Sequence, residues 1–189
     1  MAYEKTIAPA SAANEVEIQR NGGLFVDRTI GVSVSLAKVS LDLGKLMRFE
    51  MVETTGYRDE ILRIAQSRFV YDRRFNLTPD CDEASREQVL RQWVADLGPT
   101  IVALWRGKVA GFLNLREQSP EAVEVWLAAV EVNGTALGLY AKAVEIARAR
   151  GYKRLVGRIS SQNMAVMNVY AMFGAQFSEP QDIFLKEVK

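Results

Sequence analysis

Between residues 100 and 159 the apolar residues change period twice, and this constrains the fold more than any other feature of the chain. Thr100–Trp105 and Val109–Leu115 flank the tight turn "RGK", and Ala122–Val132 follows the loop "REQSPE". Alternation at period two predicts three strands in meander order. At "NGTALG", Asn133–Gly138, the period becomes helical: Tyr140, Ala143, Val144 and Ala147 share one face of a helix over Ala136–Arg150. Gly151 is placed to terminate that helix in the left-handed region, and Arg154–Ile159 reads as a strand again. A meander running directly into strand–helix–strand predicts an α/β chain of the α+β type, a mixed sheet with helices packed on it.

The rest of the chain extends this order. Leu46–Glu53 reads as a strand, Tyr57–Phe69 as a helix through Ile61, Leu62, Ala65 and Phe69, and Ser85–Leu97 as a second helix stopped at Gly98-Pro99. Met164–Phe173 carries an i, i+3, i+4, i+7 set in Val166, Val169, Tyr170 and Phe173, and Ile183–Val188 is expected to close the sheet. Upstream, Leu24–Leu43 alternates with one slip of phase, as two short strands or a strand with a bulge would; an unpaired edge there would serve a homodimer. Residues 1–23 are polar and rich in Ala and Ser, an expected poorly ordered start. The division expected is an N-terminal extension or reduced lobe with short strands over 1–45 and the main domain over 46–189.

Several chemistries are removed at once. The chain has no histidine and one cysteine, Cys81, so Ser-His-Asp hydrolysis, Cys-His chemistry and imidazole or thiolate metal sites are out, and no metal is expected. Acid–base work falls to Glu, Asp, Tyr, Lys or the substrate. A formal net charge of +1 offers no basic field for nucleic acid. No apolar run is long enough to span a bilayer, and the start lacks the apolar core of a secretion signal, so no membrane partner and a cytoplasmic home are expected.

The turn at Asn133–Gly138 has a chemistry of its own. The first turn of a helix holds unpaired N–H groups and roughly half a unit of positive charge, which attract phosphate. Gly134 and Gly138, with Thr135 and Ala136 between them, let a bulky anion approach the main chain. Neither Walker A nor the dinucleotide fingerprint fits. The same residues also read as a plain strand–helix turn packed with small side chains.

The order strand, "NGTALG", helix, "RGYKRLVGRI", then "SQNMAVMNVYAMFGAQF" resembles the GCN5-related N-acetyltransferase (GNAT) family over roughly residues 46–189. The first segment is similar to its pyrophosphate motif, Arg/Gln-x-x-Gly-x-Gly/Ala, and the second to its Asn…Tyr…Gly-Phe helix. Asn133 stands where the family usually has Arg or Gln, and Ala136 where it usually has the first Gly; Gly138 matches. The family holds the pyrophosphate mainly through backbone N–H groups, which side-chain changes weaken without abolishing. A finer resemblance, in "IAQSRFVYDRRF", "QWV" and "VAGFLNLRE", is to the branch that acetylates nucleotide-linked amino sugars, such as TDP-fucosamine acetyltransferases; "GGLFVDRTIGVSVSL" is similar to the tail of that branch's reduced amino-terminal lobe.

The resemblance implies a mixed, mostly antiparallel sheet with helices on both faces, acetyl-CoA as co-substrate and a small-molecule amine as acceptor. It implies coenzyme contacts from Val130, Val132, Asn133, Gly134, Thr135, Ala136, Leu137, Gly138 and Asn163. Tyr170 stands in register with the family's catalytic acid, and a phenol near pKa 10 protonates a thiolate near 8.5 only if held close. Tyr170 also lies on the apolar stripe of its helix and could be core, but the Asn163 spacing favours the functional role. Glu124 is the expected base, against the alternative of a solvated strand carboxylate, with Glu131 second; Arg68, Arg73 and Arg74 fall where the family builds its acceptor pocket and would grip phosphate in fork geometry. Asp72 and Glu53 are candidates to orient the amine, and Cys81 reads as incidental. The alternatives are a protein amine or polyamine as acceptor, or a non-catalytic acyl-CoA-binding module.

Overall fold

A computed structural model describes residues 2–46, 48–69 and 82–188. The strands are β1 (Ala2–Pro9), β2 (Leu24–Ser35), β3 (Glu50–Thr54), β4 (Thr100–Trp105), β5 (Lys108–Ser119), β6 (Ala122–Val130), β7 (Arg154–Ser160) and β8 (Gln176–Val188). The helices among the described residues are α1 (Ala12–Arg20), α2 (Leu43–Leu46), α3 (Arg58–Arg68), α4 (Glu83–Ala95), α5 (Thr135–Ala149) and α6 (Met164–Met172), with a 3₁₀ turn at Leu36–Lys38. All eight strands form one sheet in the order β1-β8-β2-β7-β6-β5-β4-β3. Neighbours run antiparallel except β6 and β7, the pair joined through α5, so the sheet is mixed and mostly antiparallel as expected.

Helices cover both faces. Leu139, Tyr140, Ala143, Val144 and Ala147 of α5 pack with Tyr170 and Phe173 against Val32, Val34, Ile101, Leu113, Val123 and Leu155. Ile61, Ile64 and Ala65 of α3, with Leu90 and Val94 of α4, cover Val102, Phe112, Leu127 and Ala129 on the opposite face. Each buried Val, Leu, Ile or Phe among these contributes roughly 1.5–3 kcal/mol. The helical stripes read from Tyr57–Phe69, Ser85–Leu97 and Ala136–Arg150 are therefore the ones that hold the layers together.

The N-terminal segment differs from expectation. Residues 2–9 and 12–20 are a strand and a helix, the latter capped by Ser11 Oγ accepting from Asn14 N at 3.2 Å. β1 pairs with β8 from Ala2↔Val188 to Pro9↔Gln181 and forms the sheet edge in place of Ile183–Val188. Leu24–Ser35 is one bulged strand, with register shifts at Phe25/Asp27 and Thr29/Gly31, and a 3₁₀ turn follows it. β2 is hydrogen-bonded to β7 on one side and β8 on the other, so the edge proposed for a homodimer is already used within the chain. The strand read at Leu46–Glu53 starts only at Glu50, because Leu43–Leu46 turns as a short helix.

Candidate active site

Two local departures from regular pairing build the site. β6 and β7 pair only at Ala122↔Arg154, Val123↔Leu155 and Glu124↔Val156, then diverge, leaving the β7-facing main chain of the second half of β6 without a strand partner. On its other side β6 pairs with β5 but carries one extra residue at Trp126, since Asn114 faces Leu127 and Leu115 faces Val125. Such a bulge re-aims neighbouring backbone groups. The result is a wedge whose apex is Glu124/Val156 and whose mouth is the turn into α5.

That turn leaves the first N–H groups of α5 without a capping side chain. β6 ends at Val130, and Glu131 N and Val132 N both donate to Ala110 O, at 2.8 and 3.2 Å. Thr135 donates to Val132 O through its N–H at 3.3 Å and its Oγ1 at 2.7 Å, which closes the turn. Gly134 caps α5 with φ 85°, in the left-handed region, and supplies no side-chain acceptor. By contrast α1, α4 and α6 are capped by Ser11, Asp82 and Asn163, whose oxygens accept from Asn14, Ser85 and Val166. The first-turn N–H groups of Ala136 and Leu137 thus have no capping side chain, and no acidic residue stands in that turn. A diphosphate of the coenzyme fits this cradle chemically, with Asn133 and Gly134 exposed and Gly138 buried beneath.

The candidate charges are arranged differently from the sequence reading. Glu131 is held bidentately by Arg63 of α3 at 2.6 and 2.7 Å. The guanidinium keeps its carboxyl below the usual range, so it ties α3 to the turn and is a poor base. Arg68 donates to Glu131 O at 3.1 Å, which places it beside the anion turn. Arg73, Arg74, Asp72 and Cys81 lie outside the described residues. Glu53 pairs with Arg150 at 2.7 Å. Glu124 sits at the wedge apex, 3.5 Å from Arg116 across the β5–β6 ladder. Asn163 spends Oδ1 on the cap of α6, and its amide remains exposed.

Tyr170 is 1% exposed. Its ring meets Tyr140 edge-on at 5.0 Å, and the two hydroxyls are hydrogen-bonded. Burial, then the neighbouring Tyr140, raises the Tyr170 hydroxyl well above its usual pKa, and burial pushes Tyr140 up to about 12. The Tyr170 hydroxyl reaches into the wedge beside Gly157 of β7: a Cβ on Gly157 would stand 2.7 Å from it and 3.8 Å from Val125 O. Gly157 was missed in the sequence, although a glycine inside a strand is a signal of close approach. Gly157→Ala is expected to cost roughly 1–3 kcal/mol, because Tyr170 is wedged against Tyr140 and cannot retreat. Thermal unfolding should fall by about 2–4 °C per kcal/mol. Adding Tyr170→Phe should recover most of the loss, since the next atom, Cζ, is 3.6 Å away, an ordinary contact.

The mixed eight-stranded sheet with helices on both faces is shared with known acetyltransferases. The sequence profile described as "Acetyltransferase (GNAT) family" matches residues 60–175. The chain belongs to this family. A functionally unknown conserved protein from Staphylococcus epidermidis superposes with TM-score 0.69 at 12% identity, over 99% of this chain and 73% of that one. A GCN5-related N-acetyltransferase from Sphaerobacter thermophilus gives 0.60 at 12%, over 98% and 59%. A fungal GCN5-related glucosamine N-acetyltransferase region, part of a multi-domain beta-N-acetylglucosaminidase, gives 0.62 at 14%, over 94% and 23%. These likenesses show the fold alone, and the chain spans 59% of the second protein and 23% of the third. No curated protein matches the sequence.

Proposed function

We propose that the protein transfers an acetyl group from acetyl-CoA to a primary amine of a small molecule, with an amino sugar as acceptor. The observation that carries the reading is the wedge between β6 and β7, open at its mouth onto the uncapped first turn of α5. A bound acetyl-CoA would supply an activated acyl carbon. Backbone N–H groups around Asn133–Gly138 would hold its diphosphate, and Val130 and Val132 would line its path. Main-chain N–H groups of β6 past Glu124, where pairing with β7 ends, would polarise the acyl oxygen.

The amine nitrogen attacks the acyl carbon, the C–N bond forms, and the C–S bond breaks with its electron pair on sulfur. Before attack Glu124, at the apex, takes one ammonium proton directly or through water, and the second N–H proton, lost as the adduct collapses to the amide, returns to the Tyr170 oxygen that has protonated the thiolate. Tyr170 is the proposed acid. With its pKa raised by burial, it retains its proton throughout the working range and presents it to the departing thiolate.

Two features support a sugar-type acceptor: the likeness to the amino-sugar branch in sequence and the glucosamine N-acetyltransferase among the similar folds. A nucleotide on that sugar would be bound by Arg68, Arg73 and Arg74 in this reading. The test is acetyl-CoA calorimetry followed by a thiol-release assay with glucosamine, a nucleotide-linked amino sugar, spermidine and a lysine peptide. The expected result is saturable coenzyme binding and amine-dependent thiol release that is fastest with amino sugars. Binding without release from any amine would leave a non-catalytic acyl-CoA module, and release only with the peptide would move the acceptor to protein.

A further inference from the structure

Side chains on β7 alternate between the two faces of the sheet. Leu155 packs with Val123 in the cluster under α5, and a Cβ on Gly157 would point at the Tyr170 hydroxyl. Val156 and Arg158 therefore point to the opposite face. Glu124 pairs with Val156 in parallel register and lies between Val123 and Val125 of the α5-side cluster, so it points the same way. The wedge thus receives Tyr170 from one face. On the other it is flanked by the Glu124 carboxylate on β6 and the Arg158 side chain on β7. Arg158 leans across β2, where Nη1 donates to Glu179 O at 3.0 Å and to Thr29 Oγ1 at 3.4 Å. Both acceptors are uncharged, and no carboxylate among the described residues pairs with this guanidinium. Arg28, Arg63, Arg116 and Arg150, by contrast, each face a carboxylate. Nη2 lies over Gly31: a Cβ there would stand 3.4 Å from Nη2 and 3.4 Å from Ser178 Oγ. Arg158 and Ser178 are both exposed, so their two donors are open to a ligand at one spot.

We propose that Arg158 Nη2 and Ser178 Oγ hold an oxyanion, phosphate or carboxylate, carried by the acceptor whose amine meets Glu124. The acceptor is then an anionic amino sugar, and the neutral sugar is the poorer ligand. The proposal rests on the acetyltransferase reading for the place of the amine, while recognition of the anion is measurable by itself. A guanidinium fixed through one nitrogen by uncharged oxygens keeps its full charge and its second nitrogen for a ligand, and bonds from it to an oxyanion are charge-assisted. Gly31 serves the same spot, since it leaves the floor beneath Nη2 and Ser178 Oγ without a side chain. The carboxylate of Asp27, two residues before Thr29 in β2, accepts from Ser160 Oγ at 2.9 Å instead of from Arg158. Arg158 and Glu124 stand on the two strands that part at the wedge, so an acceptor bridging them lays its amine at the apex and its anion beyond β7.

Calorimetry on the intact protein, with coenzyme A present, compares glucosamine, glucosamine 6-phosphate and glucosaminuronic acid. At least one of the two anionic sugars is expected to bind about tenfold or more tightly than glucosamine, and the tighter of the two identifies the oxyanion. In Arg158→Gln that preference should shrink to within about twofold. Arg158→Lys, which keeps a point charge and loses the fork, should fall between, and Ser178→Ala should weaken the anionic sugar by about threefold. Added salt should lower the preference in the wild type and leave Arg158→Gln unchanged. A residue that only holds β2 to β7 would shift the neutral and anionic sugars alike. Equal affinity for the three sugars in the wild type, or a preference that survives in Arg158→Gln, would overturn the anion site. Absence of coenzyme A binding and of thiol release, with the Arg158-dependent preference intact, would instead overturn the transferase reading and leave the anion site standing.

Discussion

Tyr170→Phe is expected to lower kcat by roughly 10²–10³-fold, the usual contribution of a positioned acid, while the Kd for acetyl-CoA moves by no more than about threefold. The substitution removes one oxygen from a ring that stays packed against Tyr140 and Phe173, so folding is preserved. What is lost is the single proton that the fold places in the wedge beside Gly157. The pH profile separates an acid from a packing residue. Tyr170 acts in its protonated form, and burial followed by Tyr140 holds its pKa well above the usual phenol value. The active form therefore persists below pH 10, and the wild-type rate should show no alkaline decline between pH 7 and about 10 from this group. The neutral phenols also contribute stability that is fully present below pH 10 and lost as pH rises through the raised values, about 12 for Tyr140. Equal kcat in Tyr170→Phe would remove the proposed acid, whereas an alkaline limb near pH 8 that this variant abolishes would keep the acid and overturn its raised pKa.

The elements that sequence periodicity located are those in which one face meets a core. α5 shows eight buried residues along fifteen, and its Tyr140–Ala143–Val144–Ala147 stripe is a direct image of that burial. The β4–β5–β6 meander was equally readable, because short turns force neighbours in sequence to be neighbours in the sheet. β1 left no such image. It is an edge strand containing Glu4, Lys5 and Thr6, and it is joined to β8 by main-chain bonds that any side chain permits, across some 180 residues of chain. The same separation hid the seat of β2 between β7 and β8.

The site was legible in proportion to how local its causes are. The uncapped turn at Asn133–Gly138 is a matter of six consecutive residues, and it stands where the sequence placed it. Tyr170 was legible as a candidate, yet its setting depends on Gly157 and Tyr140, from two other elements, and no spacing encodes a three-way contact. Arg68 was read as an acceptor contact from the family resemblance alone, and its bond to Glu131 O, made across 63 residues of chain, is a tertiary contact that no local pattern announces. The Trp126 bulge requires the pairing register before it can be seen.

Ala136→Asp is expected to weaken acetyl-CoA binding by about 100-fold or more while leaving the fold as stable as before or slightly more so. The two effects have opposite signs for one reason. Ala136 is the second residue of α5, in a first turn that carries no acid and no capping side chain. A carboxylate there interacts favourably with the helix N-terminus, by about 0.3–1 kcal/mol. The same carboxylate would occupy the position and satisfy the N–H groups that the diphosphate requires. At ~4 Å and an effective dielectric near 20, each like-charge pair opposes binding by about 4 kcal/mol before screening, and the diphosphate brings more than one charge. Ala136→Asn adds the same volume without the charge and should keep affinity within about threefold, and raising the salt concentration should narrow the gap between the two variants. A stabilised Ala136→Asp protein that still binds acetyl-CoA as the wild type does would mean that the coenzyme is not held by this helix. Equal losses in Asp and Asn variants would point to a steric cause, with the electrostatic account of the turn discarded.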